Sequence, residues 1–177
     1  MPFKAPSSEV RVVELDDRAS VEEGPMTVTA RKNTHYSFAP GSELDEQYQS
    51  LSFRFNAPGR SIAYTGDTGP SQAVEELAGG ADLLVAEMID MGKMFTPAQN
   101  NRFAGNTTGQ DMPRHLREHH IDPDQVGEMA ARAGVGSLVV THLVALGATT
   151  ADLLHYNALI GKHYSGPVMI ANDLDVF

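Results

Sequence analysis

Cysteine is absent from the 177 residues. That excludes disulfides and thiolate metal sites, so any metal held here must use nitrogen or oxygen donors. No apolar run approaches the ~20 residues that cross a bilayer. Met1-Pro2-Phe3-Lys4-Ala5-Pro6 lacks the apolar stretch of a secretory signal. No run of Lys or Arg occurs, and the formal charge is −10. These absences set the first expectations: a cytoplasmic protein with no membrane association. A polyanion needs a basic patch, so nucleic acid is excluded as a partner and a small-molecule substrate is expected. The 41% hydrophobic and 20% charged residues suit a globular chain with a sizeable core, expected as a single domain over 1–177.

Apolar periodicity lays out the elements. Val10-Arg11-Val12-Val13-Glu14-Leu15 and Met26-Thr27-Val28-Thr29-Ala30 read as strands, with Glu23-Gly24-Pro25 as the punctuation between them. Residues 39–49 are polar and read as a loop. Leu51-Ser52-Phe53-Arg54-Phe55 and Ser61-Ile62-Ala63-Tyr64 flank Ala57-Pro58-Gly59-Arg60 as a hairpin. A helix is expected from Pro70, stopped by Gly79-Gly80. Ala81-Asp82-Leu83-Leu84-Val85-Ala86-Glu87 reads as a strand buried on both faces. Residues 91–110 show no period and read as a loop, either lining a site or merely at the surface. Asp122-Pro123-Asp124-Gln125 carries the signature of a capped helix start, and Gly134 ends that helix. Ser137-Leu138-Val139-Val140-Thr141 is a strand that delivers His142. A last helix over about 150–163 precedes short strands at 167–171 and 175–177. Strands alternating with helices imply an α/β layered sheet.

Two strand ends present ligand-type side chains, Asp67 after Ala63-Tyr64-Thr65-Gly66 and His142 after Val139-Val140-Thr141. Open α/β sheets place their sites beyond the carboxyl ends of strands. A carboxylate and an imidazole there suit zinc. Each residue also has a plain structural reading, Asp67 as a helix cap and His142 as a core histidine.

Tyr64-Thr65-Gly66-Asp67-Thr68-Gly69-Pro70-Ser71, followed by a helix and the strand ending at Glu87, resembles the bridging-aspartate segment of the metallo-β-lactamase superfamily. His120-Ile121-Asp122-Pro123-Asp124-Gln125-Val126-Gly127-Glu128, then Ala133-Gly134-Val135 and Thr141-His142-Leu143, resembles the last third of that domain. The likeness runs in order over about 9–177 and is nearest the ribonuclease Z-like and arylsulfatase-like branch. It implies the C-terminal part of a layered αββα fold, a mixed sheet with flanking helices. It also implies a metal-dependent hydrolase that cleaves an ester, lactone, sulfate or phosphodiester with metal-bound hydroxide. By the resemblance, Asp67 bridges two metals, His142 binds one and His35 the other, and His120 steadies a leaving group or oxyanion. Zinc is the implied ion, with manganese or iron as alternatives.

The family's H-x-H-x-D-H signature does not occur in this sequence. Metal binding is therefore expected to be weak. The chain is expected either to complement a missing N-terminal half or to act as a self-associating, homo-oligomeric module. A second pattern, His115-Leu116-Arg117-Glu118-His119, matches the H-x-x-E-H of zinc peptidases, with two histidines on one helical face and a glutamate as base.

Overall fold

The structure is a computed structural model that describes residues 12–36, 38–94 and 112–177. Its centre is a seven-stranded sheet in simple sequence order: β1 (Ser20–Glu23), β2 (Met26–Lys32), β3 (Leu51–Ala57), β4 (Arg60–Tyr64), β5 (Leu83–Ile89), β6 (Leu138–Val144) and β7 (Val168–Ile170). The first four strands pair antiparallel and the last four parallel. Direction thus alternates up to β4 and then stays constant. The carboxyl ends of β2, β4, β5 and β6 consequently point to one edge of the sheet.

The helices are α1 (Glu43–Gln47), α2 (Gln72–Ala78), α3 (Met91–Met94), α4 (Met112–His119), α5 (Pro123–Ala133) and α6 (Thr150–Ile160). Local chemistry explains the best-defined of them. Asp122 accepts from the Gln125 backbone and the Gln125 side chain returns to the Asp122 N–H, while Gly134 closes α5 at φ 62°. Thr149 and Asp152 form the same box at α6. The core lies where α2, α5 and α6 cover one sheet face, joining Val74, Val126, Met129, Tyr156 and Ile160 to Ala63, Leu84, Met88, Leu138 and Val140. A fully buried Leu or Met contributes about 1.5–3 kcal/mol there.

The opposite sheet face has no helix cover among the described elements. Register places Val28, Phe55, Ile62 and Leu83 in one row, and Ala30, Phe53, Tyr64, Val85, Val139 and Met169 in the next. Tyr64 and Met169 on this face are 41% and 51% exposed.

Several expectations need correction. Residues 12–15 are not a strand, and Val10 and Arg11 lie outside the described residues; the first strand is Ser20–Glu23. Residues 12 and 13 are exposed, so their apolar character reflects no burial. The 39–49 stretch contains α1, capped by Ser42. α2 begins at Gln72 rather than Pro70, because Ser71 caps it through the Val74 N–H. Of residues 91–110, 91–94 form α3 and the rest lies outside the described residues. Residues 175–177 form no strand, since the carboxylate of Asp175 closes a turn on the Asn172 N–H instead. Among the described residues, no helix is long and apolar enough to cross a membrane.

Candidate metal centre

The shared sheet edge brings the expected residues together. His35 follows the end of β2, Asp67 follows β4, and His142 sits inside β6. Gly66 turns the chain from β4 toward Asp67 at φ 59°, and a Cβ there would press on the Leu51 carbonyl at 3.2 Å. Opposite Glu87, β6 carries two residues where β5 carries one, because pairing jumps from Ala86↔Val140 to Met88↔Leu143. This bulge holds His142 at φ 43° and re-aims its ring out of the ladder. Its Nε2 lies 3.4 Å from Asp67 Oδ2. Two ligands of one tetrahedral zinc-class ion, with bonds of ~2.0–2.1 Å, stand about 3.3–3.4 Å apart. The pair fits that span and remains partly open to solvent.

Behind it lies a buried couple. His120 Nδ1–H donates to Glu87 Oε2 at 2.7 Å and Oε1 at 2.9 Å, and the Thr68 N–H donates to Oε1 at 2.7 Å. Burial pushes the Glu87 carboxyl up, against the hydrogen bonds from His120 and Thr68. Burial works on His120 in the other sense, downward. The Glu87 hydrogen bond and the charges of Glu87 and Asp67 outweigh it and hold the imidazole above its usual value. The proton belongs on His120, since Glu87 accepts from two donors as a carboxylate should.

A second group of histidines adjoins this couple. His35 Nδ1–H donates to the His119 carbonyl at 3.2 Å, and His119 Nδ1–H donates to the Thr34 carbonyl at 2.8 Å. The contact is tight enough that a Cβ on Gly69 would meet the Glu118 carbonyl oxygen at 2.1 Å. Ring nitrogens of His35, His115 and His120 lie within 4.8 Å of one another. Burial, and then the charges that His119, His35 and His120 can carry, hold His115 below its usual value.

The H-x-x-E-H residues do share a helical face, with the His115 and His119 rings 4.8 Å apart. They do not act as one set. His119 gives its Nδ1–H to the Thr34 carbonyl, the half-exposed Glu118 carboxylate stands 3.9 Å from His119 Nε2, and His115 turns instead to His35 and His120. Two residues of the candidate site carry no local signal of that place in the sequence: Glu87, which reads only as a strand residue, and His115 as a neighbour of His35. For Glu87 the only hint is a carboxylate inside a doubly buried strand, because a buried charge needs a partner.

Comparison with known proteins gives the family. The beta-lactamase superfamily domain matches residues 1–143. The chain belongs to that family. Ribonuclease Z of Mycobacterium avium is 34% identical over 126 residues, covering 71% of this chain and 40% of the relative. Ribonuclease Z of Mycobacterium tuberculosis is 30% identical over 126 residues, with 71% and 41% covered. The chain thus spans about two fifths of the length of these two relatives. Its fold is that of the metallo-beta-lactamase fold protein YhfI from Bacillus subtilis, at TM-score 0.62 and 20% identity, with 90% of this chain and 52% of that one covered. Human tRNase Z, short form, aligns at TM-score 0.50 and 18% identity, with 89% and 43% covered. These relatives overturn the exclusion of nucleic acid, since they are named for an action on RNA. Net charge sums a whole surface and does not report the sign at a single site.

Proposed function

We propose that this superfamily chain provides part of the catalytic centre of a metal-dependent phosphodiester hydrolase acting on RNA. The observation that carries the reading is the Asp67–His142 pair, 3.4 Å apart on a bulge at the sheet edge. Asp67 and His142 would hold one divalent ion, and His35 would help to hold a second. Bound ions of the zinc or manganese class supply hydroxide near neutral pH and polarise the phosphoryl oxygens. The Glu87 hydrogen bond favours the protonated form of His120, whose Nε2–H would protonate the departing oxygen. Thr68, through its N–H, fixes the Glu87 carboxylate so that the imidazole cannot swing away. Turnover by this chain is expected to be slow, because Asp67 with one histidine offers an ion fewer than the usual three or four protein ligands.

The test is cleavage of a single-stranded RNA by the purified chain with added manganese, beside Asp67→Ala, a carboxylic ester and an aryl sulfate. Metal-dependent RNA cleavage that disappears in Asp67→Ala is the expected result. Cleavage that survives Asp67→Ala, or a preference for the ester or sulfate, overturns the reading.

A further inference from the structure

Three imidazoles converge where the superfamily resemblance places only one ligand, His35. His35 comes from the segment after β2, His115 from α4, and His120 from the turn between α4 and α5. The rings of His35 and His120 stand 5.0 Å apart edge to face, and those of His35 and His115 5.4 Å apart.

We infer that His35, His115 and His120 form a separate cation site for a zinc-class ion, distinct from the Asp67–His142 pair. The inference shares His35 with the hydrolase reading but stands on its own geometry.

Hydrogen-bond partners fix the tautomers of two of these rings. His35 Nδ1 faces a carbonyl oxygen, which only accepts, so that nitrogen must carry the hydrogen and Nε2 the lone pair. His120 Nδ1 faces a carboxylate with the same consequence when the ring is neutral. A metal-binding histidine characteristically gives its other N–H to a carbonyl or carboxylate, which fixes its orientation and strengthens the donor. Two of the three rings already have that support.

Distance and donor type point the same way. Three nitrogens within 4.8 Å need to close to about 3.3–3.4 Å around one ion. Side-chain rotation on the short helix α4 supplies that movement. An all-imidazole set selects zinc, nickel, copper or cobalt over magnesium and calcium, which require oxygen. Three protein ligands meet the ordinary requirement for zinc that the Asp67–His142 pair by itself does not.

A functional consequence follows. An ion here takes the Nε2 lone pair of His120 and excludes the proton from that atom. Filling the histidine site therefore removes both the acid and the His35 ligand that the proposed hydrolysis uses, so zinc inhibits while manganese does not.

The test is calorimetric titration of the purified chain with zinc, compared with His115→Gln and Asp67→Ala, each checked for folding by circular dichroism. Zinc should bind wild type and Asp67→Ala alike, and His115→Gln should weaken binding by at least about tenfold. Magnesium should not compete. In the unsubstituted protein, one equivalent of zinc should move the imidazole resonances of His35, His115 and His120 and leave that of His142. Unchanged affinity in His115→Gln, or zinc that perturbs His142 in place of His115, overturns the inference. Absence of manganese-dependent RNA cleavage by the zinc-free chain, with this zinc binding intact, would count against the hydrolase reading alone.

Discussion

The His142 imidazole reaches the Asp67 carboxylate, 3.4 Å away, because β6 carries one residue more than β5 opposite Glu87. The extra residue holds His142 at φ 43°, a left-handed conformation that costs a non-glycine residue about 1 kcal/mol. His142→Gly should therefore leave the protein as stable as before, or more stable by up to about 1 kcal/mol, roughly 2–4 °C in Tm. The same variant should lose manganese-dependent RNA cleavage. A stability drop beyond about 1 kcal/mol would mean that the ring is held for packing.

Glu87 and His120 predict a pH dependence of stability. Both groups sit above their usual values in the folded protein, so it binds more protons than the unfolded chain does. The His120 contribution is complete below the ordinary histidine value of ~6.5 and is lost as pH rises through the folded value. Glu87→Gln removes the carboxylate that opposes burial and leaves His120 pushed downward. Stability should then fall with acidification instead. Urea midpoints across about pH 5–9 check both signs; parallel curves for the two proteins would refute the coupling.

Gly69 packs against the backbone at the end of α4. Gly69→Ala puts a Cβ 2.1 Å from the Glu118 carbonyl oxygen, where neither backbone can yield cheaply. A loss of about 1–3 kcal/mol is expected, together with shifted imidazole resonances for His115 and His120. Gly127→Ala is the control. Its Cβ would meet the Ile160 carbonyl oxygen at 2.6 Å between α5 and α6, so stability should drop without a change at the histidines.

The sheet face that no described helix covers predicts self-association of the purified chain. Phe53, Phe55, Ile62, Val85 and Met169 form adjacent apolar rows, and a second copy is the surface of matching character in that solution. Light scattering should give a mass above one 19.1 kDa chain at micromolar concentration. Tyr64→Glu with Met169→Lys should return it to a single chain. A monomeric mass for the unsubstituted protein would contradict this.

Legibility in the sequence followed the range of the interactions. The Asp122–Gln125 capping box spans four residues and was readable outright, as was the hairpin turn at Gly59. The nearness of Asp67 and His142 was readable because parallel strands run their carboxyl ends to one edge, although His142 lies inside β6 and not at its end. The bulge was not, since it arises from a register shift between β5 and β6 that neither strand shows by itself. The pairing of Glu87 with His120, and of His115 with His35, joins segments 33 and 80 positions apart; no local pattern encodes such contacts. Val12 and Val13 misled for the opposite reason, being apolar residues with no neighbouring strand to bury them.

The reciprocal bonds between the 34–35 segment and His119 also bear on how the protein breathes. His35 bonds the His119 backbone and His119 bonds the Thr34 backbone, so neither segment can release the other one bond at a time. Two stretches more than 80 residues apart in sequence thus open in a single event. In hydrogen-exchange experiments they belong to one cooperative unit, with a shared opening free energy set by the weaker of the elements they join.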